Sequence, residues 1–107
     1  MTRLVIDPRK LTEYALNPDN PVGADKAVMF QRHLGFTRDN YQPLLEQISA
    51  QTLEVEAILG LTDEQWQRYR VDLEIIGTQG QWEIVRTGWI VEADSDAARL
   101  VTLYVRR

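Results

Sequence analysis

Apolar positions recur at two different periods along the chain, and the change of period divides it. Leu11, Tyr14 and Ala15 recur at helical spacing, and Asp7-Pro8 sets a capping carboxylate before a proline at the first helical position. Asn17-Pro18-Asp19-Asn20-Pro21-Val22-Gly23 ends that segment, because two prolines remove donors and push the residues before them toward extended backbone. A rigid loop is expected there. A second helix is predicted from about Ala24 to Leu34, with Ala27, Phe30 and Leu34 on one stripe and Gly35 as a left-handed C-terminal cap. Thr37, Asp39 or Asn40 is expected to cap a third, whose apolar face is Tyr41, Leu44, Leu45 and Ile48 and whose first turn holds Pro43. Leu53 to Leu59 reads both ways: alternation with Glu54 and Glu56 suggests a strand, and the segment can equally extend the helix.

From Arg68 the period becomes two. Tyr69 to Ile76 is predicted as a strand, Gly77-Thr78-Gln79-Gly80 as a turn, and Gln81 to Glu92 as a longer return strand. Ala93 to Ala98 connects to a last strand, Arg99 to Val105, while Gly60 to Gln67 reads as a loop. Val71, Leu73 and Ile75 fall on one side of the first long strand and Val101, Leu103 and Val105 on one side of the last, so these sets are expected to face the core. The opposite sides carry Arg70, Asp72 and Glu74, and Leu100, Thr102, Tyr104 and Arg106. The middle strand is apolar on both sides: Trp82, Ile84 and Ile90 run with Arg86, and Val85, Trp89 and Val91 with Thr87. Alternation therefore leaves open whether Arg86 or Thr87 points to the free face, and a bulge near Gly88 is expected to shift the register. The architecture implied is a single α+β domain over 1–107. Helices over about 8–50 pack on one face of an antiparallel β-sheet, a meander over about 53–107.

Composition narrows the chemistry. The chain has 107 residues, 44% hydrophobic and 26% charged, which suits one globular domain and excludes a disordered tail or a coiled-coil rod. Without cysteine there are no disulfides, thiolate metal sites or thiol nucleophile, and the lone His33 excludes a multi-histidine cluster. No metal or other cofactor is expected. No apolar run reaches the length of a membrane span or a signal peptide, so a cytoplasmic location with no membrane partner is the expectation.

Net charge is −4, with arginine at ten positions and lysine only at Lys10 and Lys26. Such a molecule repels nucleic acid as a whole, so phosphate chemistry must rest on a local cationic cluster. The polar sheet face supplies the materials for one: Arg70, Thr102 and Tyr104, with Arg86 or Thr87 between. Arginine neutralises phosphate and stabilises charge developing at phosphorus, and hydroxyls bind the nonbridging oxygens. RNA cleavage needs no metal, since the 2′-hydroxyl serves as nucleophile once a base and an acid are placed. The competing reading is structural: threonine and tyrosine favour strands, and Arg70 suits a cross-strand carboxylate.

Several blocks carry a family likeness. Lys10-Leu11-Thr12-Glu13-Tyr14-Ala15-Leu16-Asn17-Pro18, Pro21-Val22-Gly23-Ala24-Asp25-Lys26-Ala27 with Phe30, Leu34-Gly35-Phe36, Arg68-Tyr69-Arg70-Val71-Asp72, Val85-Arg86-Thr87-Gly88-Trp89-Ile90 and Arg99-Leu100-Val101-Thr102-Leu103-Tyr104 resemble, in that order, a small bacterial domain of unknown function. That domain occurs alone and at the C-termini of polymorphic toxins and phage head-associated proteins. It in turn resembles the barnase, EndoU, colicin and RelE class of metal-independent ribonucleases. The resemblance implies a catalytic set of Lys26, Arg86, Thr87, Thr102 and Tyr104; Arg70 and Arg99 are the expected substrate-binding cations beside it. Lys26 would bind phosphate, Arg86 stabilise the transition state and Thr102 hold an oxygen.

His33, off the buried stripe of its helix, reads as a surface residue rather than a base, so a base would come from Glu, Asp, Lys26 or Tyr104. A toxin-like ribonuclease acting on RNA and held in check by a cognate antitoxin or immunity protein is the resulting expectation. The alternative is a noncatalytic interaction module, able to form a homodimer, in which Trp82 and Trp89 are interface anchors unless they pack in the core. An immunity protein that mimics nucleic acid with its acidic surface fits the charge but not the family likeness.

Overall fold

The computed structural model describes residues 3–62 and 64–107. Two helices, α1 (Ala24–Leu34) and α2 (Gln42–Gln51), and a π-helical turn (Lys10–Ala15) accompany five strands: β1 (Arg3–Val5), β2 (Ile58–Thr62), β3 (Trp66–Ile76), β4 (Trp82–Glu92) and β5 (Ala97–Val105). The sheet runs in the order β1-β5-β4-β3-β2. β2 to β5 form the antiparallel meander, but β1 joins β5 in parallel, pairing Arg3, Leu4 and Val5 with Ala97, Ala98 and Arg99. The α+β class stands and the all-antiparallel sheet does not: three residues are too few to show a periodicity.

Glycine and proline, rather than side-chain caps, mark the helix boundaries. Gly35 closes α1 at φ 77°, as its left-handed position requires. Pro43 occupies the first turn of α2, yet none of Thr37, Asp39 and Asn40 caps that helix; the Asn40 amide instead ties the preceding loop to Thr37 and Gly35. Leu53 to Leu59 divides. Thr52–Glu54 adds a 3-10 turn, with the buried Thr52 hydroxyl donating to Ile48 O at 2.7 Å, and the chain then extends into β2. The expected loop at 60–67 is shorter than alternation suggested, since β2 runs to Thr62 and β3 starts at Trp66; Asp63 lies outside the described residues.

Phe30 and Leu34 of α1 and Leu44 and Ile48 of α2 meet Val71, Leu73, Ile75, Val85, Trp89, Leu103 and Val105 in one core on one face of the sheet. On β4 the buried set is Val85, Thr87, Trp89 and Val91, which turns Arg86 to the opposite, open face. Trp89 is fully buried and therefore no interface anchor, whereas Trp82 is 59% exposed and not part of the core. On β5 the expected alternation breaks. Gly88 pairs with Thr102 and Trp89 with Leu100, so Val101 is an extra residue, Leu100 enters the core and Val101 is only half-buried.

Where β3 and β5 run beyond the edge strands β2 and β1, helical segments lie against them. Beyond its pairing with β2, β3 bonds to α2: the Gln47 amide donates to Ile76 O at 2.8 Å and accepts from Ile76 N at 2.7 Å, and Gln51 donates to Glu74 O. Past Arg99, where β1 ends, the π-helical turn and α1 lie against β5. Covering an edge blocks pairing with another chain. At β5 it also brings helix side chains to the rim of the open face.

Candidate active site

The open face is read row by row from the register. Trp66 pairs with Glu92; Arg68, Ile90 and Arg99 form the next row; then come Arg70, Gly88 and Thr102, followed by Asp72, Arg86 and Tyr104. Rows lie two residues apart, about 7 Å. The bulge at Val101 returns Thr102 and Tyr104 to this face although Leu100 is buried, so threonine and phenol sit beside Gly88 and Arg86. Gly88 makes room: a Cβ there would come within 2.8 Å of Thr102 Cγ2.

Lys26 enters over the β5 edge. Its ammonium donates to Thr102 Oγ1 at 2.9 Å and to the Tyr14 hydroxyl, and lies 4.6 Å and 5.6 Å from the ring centroids of Tyr14 and Tyr104. The close approach of α1 to the π-helical turn depends on Gly23, where a Cβ would sit 2.1 Å from Tyr14 O. Asn20 supports the same junction, its side-chain oxygen accepting from Val22 N and Gly23 N, both at 2.9 Å. The Asn-Pro-Asp-Asn-Pro-Val-Gly loop is therefore what delivers Lys26 to Tyr14.

Arg86 makes a bidentate pair with Asp72, Nε to Oδ1 at 2.9 Å and Nη2 to Oδ2 at 3.1 Å, the side chains being 22% and 31% exposed. This uses two of its five N–H donors and fixes the plane of the guanidinium. The Asp72 bond raises the Arg86 pKa against the opposing effect of burial, and a bond to Tyr104 raises it further, so Arg86 remains charged. Asp72 is held below its usual 3.8, first by the Arg86 hydrogen bond, against burial, and then by the charges of Arg86, Arg106 and Arg70. Those last two charges leave the neighbourhood net positive although Arg86 and Asp72 cancel.

For Tyr14, burial pushes the phenol up, but the hydrogen bonds with Lys26 and Thr102 and the charges of Lys26 and Lys10 outweigh it, and its pKa falls below 10.0. Tyr14 is the functional candidate that sequence reasoning missed. Its spacing with Leu11 and Ala15 reads as a helical stripe, and only its phenol, a group that seeks a partner when half-buried, points to more.

The predicted residues thus separate. Lys26, Thr102, Tyr104 and Arg86 converge, with Arg70 in the adjoining row. Arg99 lies one row further, 3.7 Å from Glu92. Thr87 does not join them: it is fully buried on the core face, donating to Val71 O at 2.7 Å and accepting from Trp89 Nε1 at 2.7 Å. His33 is held by Arg107 near Glu83 at the far end of α1 from Lys26. Among the described residues no group of three or more histidine, cysteine, aspartate or glutamate side chains is placed to hold a metal ion, and no helix is long and apolar enough to cross a membrane.

Over residues 1–107 the chain matches the family model described as Domain of unknown function (DUF6883), and it belongs to that family. No curated protein and no solved structure matches it.

Proposed function

We propose that this domain is a toxin-like ribonuclease that cleaves RNA phosphodiesters without a metal ion, at the cluster of Tyr14, Lys26, Arg86, Thr102 and Tyr104. The observation that carries the reading is the convergence of Lys26 and Arg86, sixty residues apart, on either side of Tyr104 on the open face of an otherwise acidic molecule. A face lined by Arg68, Arg70, Arg86 and Arg99, with Lys26 at its rim, against Asp72, Glu74 and Glu92, has the local positive balance that a phosphate chain requires.

In this reading Arg86 and Lys26 hold the nonbridging oxygens and take up the charge that grows on them as the phosphorus becomes five-coordinate. Tyr14, ionised below its ordinary pKa, accepts the proton of the 2′-hydroxyl as that oxygen bonds to phosphorus. The bond to the 5′-oxygen breaks, and the Tyr104 phenol donates the proton that the leaving oxygen takes. The products are a 2′,3′-cyclic phosphate and a free 5′-hydroxyl. Thr102 keeps the Lys26 ammonium in position. A cognate antitoxin or immunity protein that covers the face would restrain the activity inside the cell.

Purified protein freed of any partner is expected to cleave RNA in EDTA, with Arg86→Ala reducing the rate at least a hundredfold, as for loss of one oxyanion-stabilising donor. Failure of the wild type to cleave any RNA removes the enzyme claim. A second reading, a noncatalytic interaction module, draws on the exposure of Ile76 and Trp82 (49% and 59%), which pair at the hairpin end of the open face. Harmless expression together with stable self-association favours that reading; toxicity relieved by a neighbouring open reading frame favours the toxin.

A further inference from the structure

A broad cleft lies not at the Lys26–Arg86 cluster but at the opposite end of the same face. About 720 Å³ opens between the start of β3 and the β4–β5 connection, lined by Trp66, Arg68, Ile90, Glu92 and Arg99 among others. A backbone bond from Ala93 N to Gln65 O, 2.7 Å, closes its end. The Arg68 guanidinium lies against the Trp66 ring, 4.6 Å from the centroid. An arginine stacked on an indole forms a flat, cationic platform.

We propose that this cleft is a nucleobase subsite, in which a base of a single-stranded RNA stacks on the Trp66–Arg68 platform while the backbone runs past Arg70 to Lys26 and Arg86. The inference rests on the reading of the face as an RNA site. Register sets the separation: the Trp66 row lies two rows, about 14 Å, from the Thr102 row, a span of a few nucleotides at most. Every base offers a π-face for stacking, so the platform alone selects single-stranded nucleic acid rather than a sequence.

The cleft is lined by three carboxylates, Glu64, Glu92 and Asp94, and preference comes from Glu92, the one that pairs with Trp66. Glu92, 64% exposed in its side chain and 3.7 Å from Arg99, presents a carboxylate beside the platform. A carboxylate accepts from base-edge donors. Guanine, whose N1–H and exocyclic amino group point the same way, fills both oxygens at once, whereas uracil offers one N–H flanked by carbonyls that a carboxylate repels. Arg99 screens Glu92 from approaching phosphates and supplies one phosphate contact of its own. The occupant is therefore a guanine base of an RNA strand whose scissile bond lies at the other end of the face.

The probe is a short single-stranded oligonucleotide, fully 2′-O-methylated so that the 2′-oxygen carries no proton and no cleavage follows, made in guanine-containing and all-uridine forms. Binding is read by fluorescence anisotropy of the oligonucleotide, labelled at its 5′ end, so that the signal does not depend on Trp66. Trp66→Ala is expected to weaken binding about tenfold, Trp66→Phe to stay within about threefold of the parent, and Glu92→Gln to remove the preference for the guanine form. Trp66→Phe, which keeps an aromatic ring, separates loss of stacking from loss of folding. If Trp66→Ala binds like the parent, or the two oligonucleotides bind equally in the parent, the subsite is wrong even where RNA is cleaved. If the wild type cleaves nothing but the Trp66 dependence holds, the subsite stands and the proposed chemistry fails.

Discussion

Thr87 and Arg86 are neighbours in the chain, and only one of them serves the open face. The Thr87 hydroxyl satisfies the buried Trp89 Nε1–H and itself reaches Val71 O, so its role is to let an indole be fully buried. Thr87→Val leaves that N–H without an acceptor. A loss of about 1–3 kcal/mol is expected, read as a fall in the urea midpoint, with cleavage by the folded fraction unchanged. Strand alternation could not choose between Arg86 and Thr87 because β4 is apolar on both sides: Ile84, Ile90 and Trp82 on one, Val85, Trp89 and Val91 on the other. What decides is burial, since an arginine left unpaired on the core face costs far more than a threonine that finds two partners there.

Tyr14 gives a second test at this scale. A phenol whose pKa is lowered on folding is ionised at a lower pH than in the unfolded chain, so the anion's contribution to stability is complete above about 10 and lost as pH falls through the lower folded value. If Tyr14 is the base of the proposed reaction, the rate is expected to rise with pH until Tyr14 is ionised, below pH 10, and then level off. Tyr14→Phe is expected to remove that rise and to lower the rate at least tenfold, measured as a pH profile of initial rates. A profile unchanged by the substitution assigns the base elsewhere.

Among elements, those with a strong period were legible and those defined by contact were not. Helix α1, with its stripe of Ala27, Phe30 and Leu34 and its glycine stop, and the long hairpin of β3 and β4 followed directly from spacing. β1 escaped because it exists only as an addition to β5, and the fate of Leu100 escaped because an extra residue inverts the alternation from that point. The expected bulge at Gly88 is real in register, but its additional residue is on the partner strand, where glycine gave no mark. The Pro/Gly loop before α1 matters more than its sequence suggests. A methyl group at position 23 would strike the backbone carbonyl of Tyr14, which has no rotamer with which to yield. Gly23→Ala is therefore expected to cost about 1–3 kcal/mol in urea unfolding. By pushing α1 from the π-helical turn, it should also lower cleavage by the protein that remains folded, because the Lys26 contacts to Tyr14 and Thr102 lengthen together.

For the whole molecule, net charge and site charge have opposite sign. Sixteen acidic against twelve basic residues make the chain anionic, yet in the rows of the open face Arg68, Arg70, Arg86 and Arg99, with Lys26 at the rim, outnumber Asp72, Glu74 and Glu92. In the proposed function the overall repulsion would keep non-specific binding weak while the local field admits a strand along one path. Composition revealed the first of these facts and hid the second, because the cations come from α1, β3, β4 and β5 and meet only when the sheet forms. The most direct test of the account is an amide chemical-shift map of isotope-labelled protein titrated with 2′-O-methyl RNA. RNA on the open face is expected to shift amides across β3, β4 and β5 from Arg68 and Ile90 to Arg86 and Thr102, together with Lys26. Shifts confined to the outer surface of α2, or no shifts at millimolar RNA, would contradict the account.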